Sequence, residues 1–423
     1  MATAHQDFDP GRLHAAGDGI PDPGRPLAAA RARSTGRFMT TNSKPFRVLC
    51  IDGGGMRGLY TCAYLSSLVK RYENTRRVSR IDVGKGFGLI TGTSTGAIIA
   101  SAVAAGVPLE RVADLYRRKG PAVFPAKLPR GPGPSLLWQL AVRPWLLGSG
   151  ASALAKALRE TFGNTTIQQI WERRKIALAI PAVEMSRHHA WVFKTPHLPN
   201  SKRRDDEYRL AEVCLAATAA PVYRSMARLE NPDTPGHQVF VDGGLWANSP
   251  VLVGLVDALA LTSPGDSIEI YCLGTCPRPE GELVSRRGLD RGLLGWRFGG
   301  AVVTLGIDAQ EYAFHHMARM IAKHVDRDCR IVRFPHGKVP ASIMQYLDLD
   351  ETRSVAMDAL VSQAQKDVSE TLSRVGDDND VEGRLLHGLL HDLPVTEPSR
   401  GHGPAREPAS DPNQNKEDQS PCE

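Results

Sequence analysis

Long hydrophobic runs are missing from this 423-residue sequence. Residues 1–44 hold no apolar stretch long enough for the core of a secretory signal. The apolar-leaning stretch 135–147 is thirteen residues interrupted by Pro144, too short to span a bilayer. Cysteine is scarce and unpatterned: seven residues at scattered spacing, an odd number, exclude a disulfide scaffold and fit reduced thiols in a cytosolic protein. Cys272 and Cys276 lie four apart, but no further His or Cys pair completes a zinc site, so they read as core or loop residues. Charge of one sign is also in short supply. A net +6 suits contact with an anionic surface but is too small to argue for a nucleic acid polymer as partner. No internal repeat is present. What remains is a chain 42% hydrophobic and 23% charged, able to bury one large core or two.

Three glycine-marked turns carry the chemistry. In the first, Val83, Phe87, Leu89 and Ile90 lead into Gly92-Thr93-Ser94-Thr95-Gly96 and an alanine-rich helix, the strand–turn–helix setting that a G-x-S-x-G nucleophile needs. A serine hydroxyl reacts only when held exposed beside a base, with amide donors for the developing oxyanion. A tight turn achieves this where its flanks are small. Gly92 and Gly96 leave that room, and Ala97 and Ala100 let the helix pack close; an ordinary βα turn is the alternative.

The second turn lies upstream. Residues 46–51 read as a buried parallel strand and 59–65 as a helix start, separated by Asp52-Gly53-Gly54-Gly55-Met56-Arg57-Gly58. Amides of consecutive glycines can converge on an anion at the positive end of a helix, and Arg57 adds a cation. Gly53, Gly55 and Gly58 also satisfy the dinucleotide fingerprint G-x-G-x-x-G. That fingerprint wants an acidic residue ending the next strand; Glu73 and Asp82 instead lie in or beside a polar stretch, and the next strand feeds the serine turn. An oxyanion hole beside Ser94 is the better reading. In the third turn, strand 238–241 ends in Asp242-Gly243-Gly244. An aspartate there can take the serine proton without a histidine relay; a structural Asx turn is the alternative.

Asp-Gly-Gly-Gly-x-Arg-Gly, Gly-x-Ser-x-Gly and Asp-Gly-Gly, in that order, resemble the patatin-like phospholipase family over about 46–257 and more loosely to about 370. The Ala-Ala-Thr-Ala-Ala-Pro run at 216–221 resembles the small-residue helix before that family's aspartate strand. The resemblance implies a three-layer α/β/α fold with a central, mainly parallel sheet. It implies Ser94 as nucleophile and Asp242 as base. Gly53, Gly54, Gly55 and Arg57 would form the oxyanion turn, with Gly92, Gly96, Gly243 and Gly244 supporting the motifs. It implies hydrolysis without metal or cofactor, acting on phospholipid acyl esters at a membrane surface. The Asp-Gly-Gly-Leu-Trp-Ala-Asn-Ser-Pro-Val and Ala-Ala-Pro-Val-Tyr contexts are similar to one bacterial branch, the patatin phospholipases that anti-phage (CBASS) systems switch on with a cyclic dinucleotide. That similarity implies a cyclic dinucleotide ligand and attack on the cell's own membrane. A constitutive lipase, a small-ester carboxylesterase and a nucleotide-binding module with an idle Ser94 are the competing readings.

The rest of the chain frames these turns. Residues 1–44 read as a disordered extension, 45–376 as the hydrolase domain and 377–423 as a disordered tail; Met39 is an alternative translation start. The expected location is cytoplasmic, peripheral on the inner membrane face. The stretch 135–147, with two tryptophans and five leucines, suits a lipid-touching lid, a helix over the active site or a contact between copies in a homo-oligomer. His188 and His189 read as surface or ligand-facing, and the basic stretch 274–297 as either a nucleotide-facing or a solvated loop. Helices are expected over 107–119, 151–171, 251–261, 307–324 and 352–375, and strands over 175–183, 267–273 and 329–334.

Overall fold

The computed structural model describes residues 44–128, 134–230, 236–276, 284–286, 289–292, 295–296, 299–337 and 339–396, the side chains of 134–141 excepted. The expected N-terminal extension up to residue 43, the end of the tail from 397 and half of the basic 274–297 stretch fall outside these residues.

Among the described residues eight strands form one sheet: β1 Phe46–Ile51, β2 Leu89–Gly92, β3 Ala177–Glu184, β4 His189–Lys194, β5 Ala227–Glu230, β6 His237–Asp242, β7 Ser267–Leu273 and β8 Asp328–Phe334. The order is β5-β6-β3-β2-β1-β7-β8, with β4 also paired to β3. Neighbours from β3 through β8 run parallel, whereas β4, β5 and β6 join antiparallel. Helices of the described residues are interleaved with them: α1 Gly58–Arg76, α2 Thr95–Ala105, α3 Leu109–Val123, α4 Pro134–Phe162, α5 Ile167–Arg174, α6 Leu210–Ala217, α7 Gly244–Ala247, α8 Val251–Leu261, α9 Gly300–Ala322, α10 Ser354–Val375 and α11 Val381–Asp392.

Strand alternation builds the layers. Along β1, Leu49 and Ile51 join a core shared with α1, α2, α3, α6 and α10, while Val48 and Cys50 join a second core with α8 and α9. With both faces covered, the strands have no polar face to show, which is why they read as continuous apolar runs. The result is the expected three-layer α/β/α sandwich with a mainly parallel sheet.

β3 is the strand that brings the distant motifs together. One edge of it pairs with β4, and the other is shared: β2 takes Ala177–Ala179, and β6 takes 182–184 with Asp242 opposite Ala182. The C-terminal end of β6 therefore stops just beyond the C-terminal end of β2.

Several expected elements keep their bounds: α8 and β7 match to the residue, while α9 begins seven residues early. The helix expected over 151–171 is two helices. Gly163 adopts a left-handed φ of 59° after α4, and the Thr166 hydroxyl accepts from the Gln169 amide to start α5. The tail expected from 377 is corrected in its first part. Asp380 caps α11 through the Gly383 amide at 3.0 Å, and Leu386, Leu389, Leu390 and Leu393 are buried. Arg76 of α1 donates to the Leu393 carbonyl at 2.6 Å. Four leucines at helical spacing outweigh the polar residues around them.

Candidate active site

Ser94 sits at the break between β2 and α2 with φ 53° and ψ −124°, a conformation that costs about 1–3 kcal/mol for a residue with a side chain. Packing enforces it. A side chain at Gly92 would strike the Gly96 carbonyl, and one at Gly96 would strike the carbonyl of Ile51 on β1. The Thr93 amide donates to Ile51 O at 3.1 Å and its hydroxyl to Ala247 O at 2.6 Å, which holds the turn from both sides. The serine hydroxyl donates to Asp242 Oδ2 at 2.6 Å.

Asp242 ends β6, and its backbone amide donates to Ala219 O, in the alanine-rich run, at 3.1 Å. The other carboxylate oxygen, Oδ1, accepts from the Gly244 amide at 2.7 Å. Gly243 has no room for a side chain, because the Pro181 carbonyl of β3 lies against it. Burial raises the Asp242 carboxyl to about 6, against the Ser94 hydroxyl, the Gly244 amide and the Arg224 charge, which all favour the ionised form. A base poised there is ionised at neutral pH yet able to hold a proton.

The glycine turn faces the same point. The Gly53 carbonyl accepts from the Thr275 hydroxyl at 3.0 Å, and the Gly54 carbonyl from the Arg57 amide at 3.1 Å and Nε at 3.3 Å. In a trans peptide the next N–H points away from the carbonyl. Pinning those two carbonyls therefore turns the Gly54 and Gly55 amides the other way, and neither has an acceptor among the described residues. Gly53 differs from expectation, because its amide donates to Asn248 O at 3.0 Å and is not free for a ligand. Its place requires glycine for another reason: a side chain would collide with Asn248 and press on Ser94 Cβ at 3.2 Å. Gly55 has φ 56° and lies against the Leu349 carbonyl, so a side chain fits neither its backbone nor its surroundings.

Two anchors missed by sequence reasoning fix this turn. Asp52, 1% exposed, is paired with Arg333 of β8 at 2.5 Å, and Arg333 also reaches Glu311 at 3.3 Å and Ser249 at 3.1 Å. On the far side, the Met56 amide donates to Leu349 O at 2.9 Å. The segment carrying Leu349 is tied down by Asp350, which accepts from the Leu128 amide at 2.7 Å, and by Glu351 paired with Lys127 at 2.6 Å. No local sequence pattern announces partners so far along the chain.

Ser94, Asp242, Gly54 and Gly55 line a cavity whose wall is mostly apolar, with Ile98, Leu115, Leu154 and Ile307 among its residues. His188 and His189 are exposed in the turn before and at the start of β4, away from the pair. Among the described residues no group of His, Cys, Asp and Glu could hold a metal ion.

A model of the family described as patatin-like phospholipase matches residues 49–255. A cGAMP-activated phospholipase of Pseudomonas aeruginosa is 34% identical over 282 residues, 66% of this chain and 76% of that protein. One from Vibrio cholerae is 27% identical over 339 residues, covering 78% and 92%. One from Escherichia coli is 31% identical over 222 residues, covering 50% and 55%. The matched span carries all three turns, and with this similarity the chain belongs to the patatin-like phospholipase family and is a hydrolase of that class.

Proposed function

We propose that the chain cleaves phospholipid acyl esters through a Ser94–Asp242 dyad at a membrane surface, on activation by a cyclic dinucleotide. The observation that carries the catalytic reading is the 2.6 Å hydrogen bond from Ser94 to the buried Asp242 in the wall of an apolar cavity. Ser94 Oγ attacks the ester carbonyl as Asp242 Oδ2 takes its proton. The tetrahedral oxyanion lies against the Gly54 and Gly55 amides, near the positive end of α2. Collapse breaks the ester bond, and the leaving lysophospholipid oxygen takes the proton from Asp242. Water then attacks the acyl-serine, again losing a proton to Asp242, and fatty acid leaves with Ser94 restored.

The membrane reading rests on what surrounds the cavity. Leu245 lines it and is 46% exposed; Val222 lies between lining residues Pro221 and Tyr223; Val302 and Leu305 flank lining residue Val303 on α9 and are more than half exposed. Arg143 donates to Val222 O at 2.8 Å, which ties this rim to the part of α4 where Trp145 is 74% exposed. Exposed apolar groups around an apolar cavity suit entry of a lipid from a bilayer, with the Trp145 region as the lipid-touching element. No helix among the described residues is long and apolar enough to cross a membrane. Activation by a cyclic dinucleotide rests on the relatives named for it; release into the cytoplasmic leaflet would then degrade the cell's own membrane.

The test is fatty-acid release from phospholipid liposomes, with and without a panel of cyclic dinucleotides. Nucleotide-dependent release is expected from the wild type, falling about a thousandfold or more in Ser94→Ala and in Asp242→Asn. Release without nucleotide would remove the activation reading. Release that survives both substitutions would remove the dyad.

A further inference from the structure

Arg224 lies in the segment between α6 and β5, lines the cavity that holds Ser94 and Asp242, and is only 6% exposed. Among the described residues, none of its three guanidinium nitrogens has a hydrogen-bond partner. Its aromatic neighbour is Phe124, whose ring centre is 5.9 Å from the guanidinium carbon. The nearby negative charge is Asp242, but both of that carboxylate's oxygens are already engaged, by Ser94 and by the Gly244 amide. Burial lowers the arginine to about 10, which leaves it charged at neutral pH. A guanidinium is a planar fork of five donors, and leaving it dry and unpaired is among the costlier arrangements a fold can keep. Such a group in a native structure calls for an explanation, and an anion that arrives with the substrate is one.

Building on the dyad reading, we propose that Arg224 is the phosphate-binding residue of this site: its guanidinium takes the phosphodiester of a glycerophospholipid whose acyl chain fills the apolar cavity and whose ester carbonyl meets Ser94. In a glycerophospholipid the phosphorus is separated from the glycerol carbon bearing the middle acyl ester by one methylene and one oxygen. An arginine that shares the cavity with the dyad is therefore within the short reach of that phosphate when the ester is in place. The fork matches two phosphate oxygens at once, which a lysine's point charge does not. A neutral acylglycerol would enter the same cavity and bring no anion to Arg224. Selectivity of this kind, from a buried polar group left without its partner, is stronger than any that the apolar wall can supply.

Two measurements on the full chain test this. The first compares kcat/KM on phosphatidylcholine, on diacylglycerol with the same chains and on p-nitrophenyl butyrate, all with the activating nucleotide present, for wild type, Arg224→Lys and Arg224→Met. The ratio of phosphatidylcholine to diacylglycerol turnover is expected to fall about tenfold to a hundredfold in Arg224→Met, with partial recovery in Arg224→Lys. An equal fall on all three substrates would mean that Arg224 only tunes Asp242, and would overturn the proposal. So would an unchanged ratio accompanied by loss of inhibition by oleate, which would assign the arginine to the product carboxylate. The second measurement needs no turnover: glycerophosphocholine is expected to raise the Tm of the Ser94→Ala protein and not of Ser94→Ala/Arg224→Met, against sodium chloride at equal ionic strength. No shift in either protein would overturn the proposal. Activity surviving in Ser94→Ala would refute the dyad reading and leave this second result to stand or fall alone.

Discussion

Two arginines close to the site live in opposite circumstances. Arg333 keeps about a quarter of its side chain exposed and still makes contacts with Asp52, Glu311 and Ser249. Arg224 is more deeply enclosed and, among the described residues, has no hydrogen-bond partner for any guanidinium nitrogen. The first completes a set of charges inside the fold; the second is a charge the fold leaves incomplete. On that contrast Arg333 serves stability and the shape of the glycine turn, whereas Arg224 is the residue proposed above to serve a ligand.

The largest effect should come from Arg333→Met. It strands the Asp52 carboxylate, 1% exposed, without its cation, and breaking a buried pair from one side costs about 3–5 kcal/mol. Urea unfolding would read this as a lower midpoint at unchanged slope. Asp52→Asn in the same chain should restore part of the loss, because the two residues are directly coupled. A loss below about 1 kcal/mol would place Arg333 among ordinary surface arginines and dissolve the comparison from that side.

Arg224→Met should do the reverse. Removing a desolvated, unpaired charge and leaving an apolar side chain of similar reach in an apolar wall is expected to hold the unfolding midpoint at or above wild type, within about 1 kcal/mol. Destabilisation on the scale of Arg333→Met would show that Arg224 holds the fold through contacts other than hydrogen bonds, the Phe124 ring first among them.

The same contrast explains how much could be read from sequence alone. Ser94, Asp242 and the glycines announce themselves because a strand-to-turn junction with no room for Cβ atoms leaves a local signature: Gly92, Gly96 and Gly243 each touch a backbone carbonyl. The layers were legible for a similar reason, since strands buried on both faces must be apolar throughout. The partners were not. Nothing near Asp52 in sequence points to Arg333, 281 residues away, and nothing near Gly55 points to Leu349. Arg224 follows the Ala-Ala-Pro-Val-Tyr run immediately, yet one arginine among many in a chain carries no sign that it is dry; only its surroundings do. Gly53 shows the limit from the other side. Its residue type was informative, but whether its amide was free depended on Asn248.

The smallest effect is the most discriminating. Asp242 must be ionised to accept the serine proton, so kcat/KM on a neutral ester should rise through pH about 6, be flat above it and fall away below, as protonation removes the base. Burial holds that value up, and the positive charge of Arg224 works against it by favouring the carboxylate. Arg224→Met removes this opposing influence, so the limb should move upward, above 6. Arg333 is not among the groups that act on Asp242, so Arg333→Met, measured at a temperature where it stays folded, should leave the limb in place. A limb that moves equally in both variants would report a general rearrangement of the site and end the distinction between the two arginines. A shift in Arg224→Met alone would locate its charge beside the base, where the phosphate of a bound phospholipid would come to meet it.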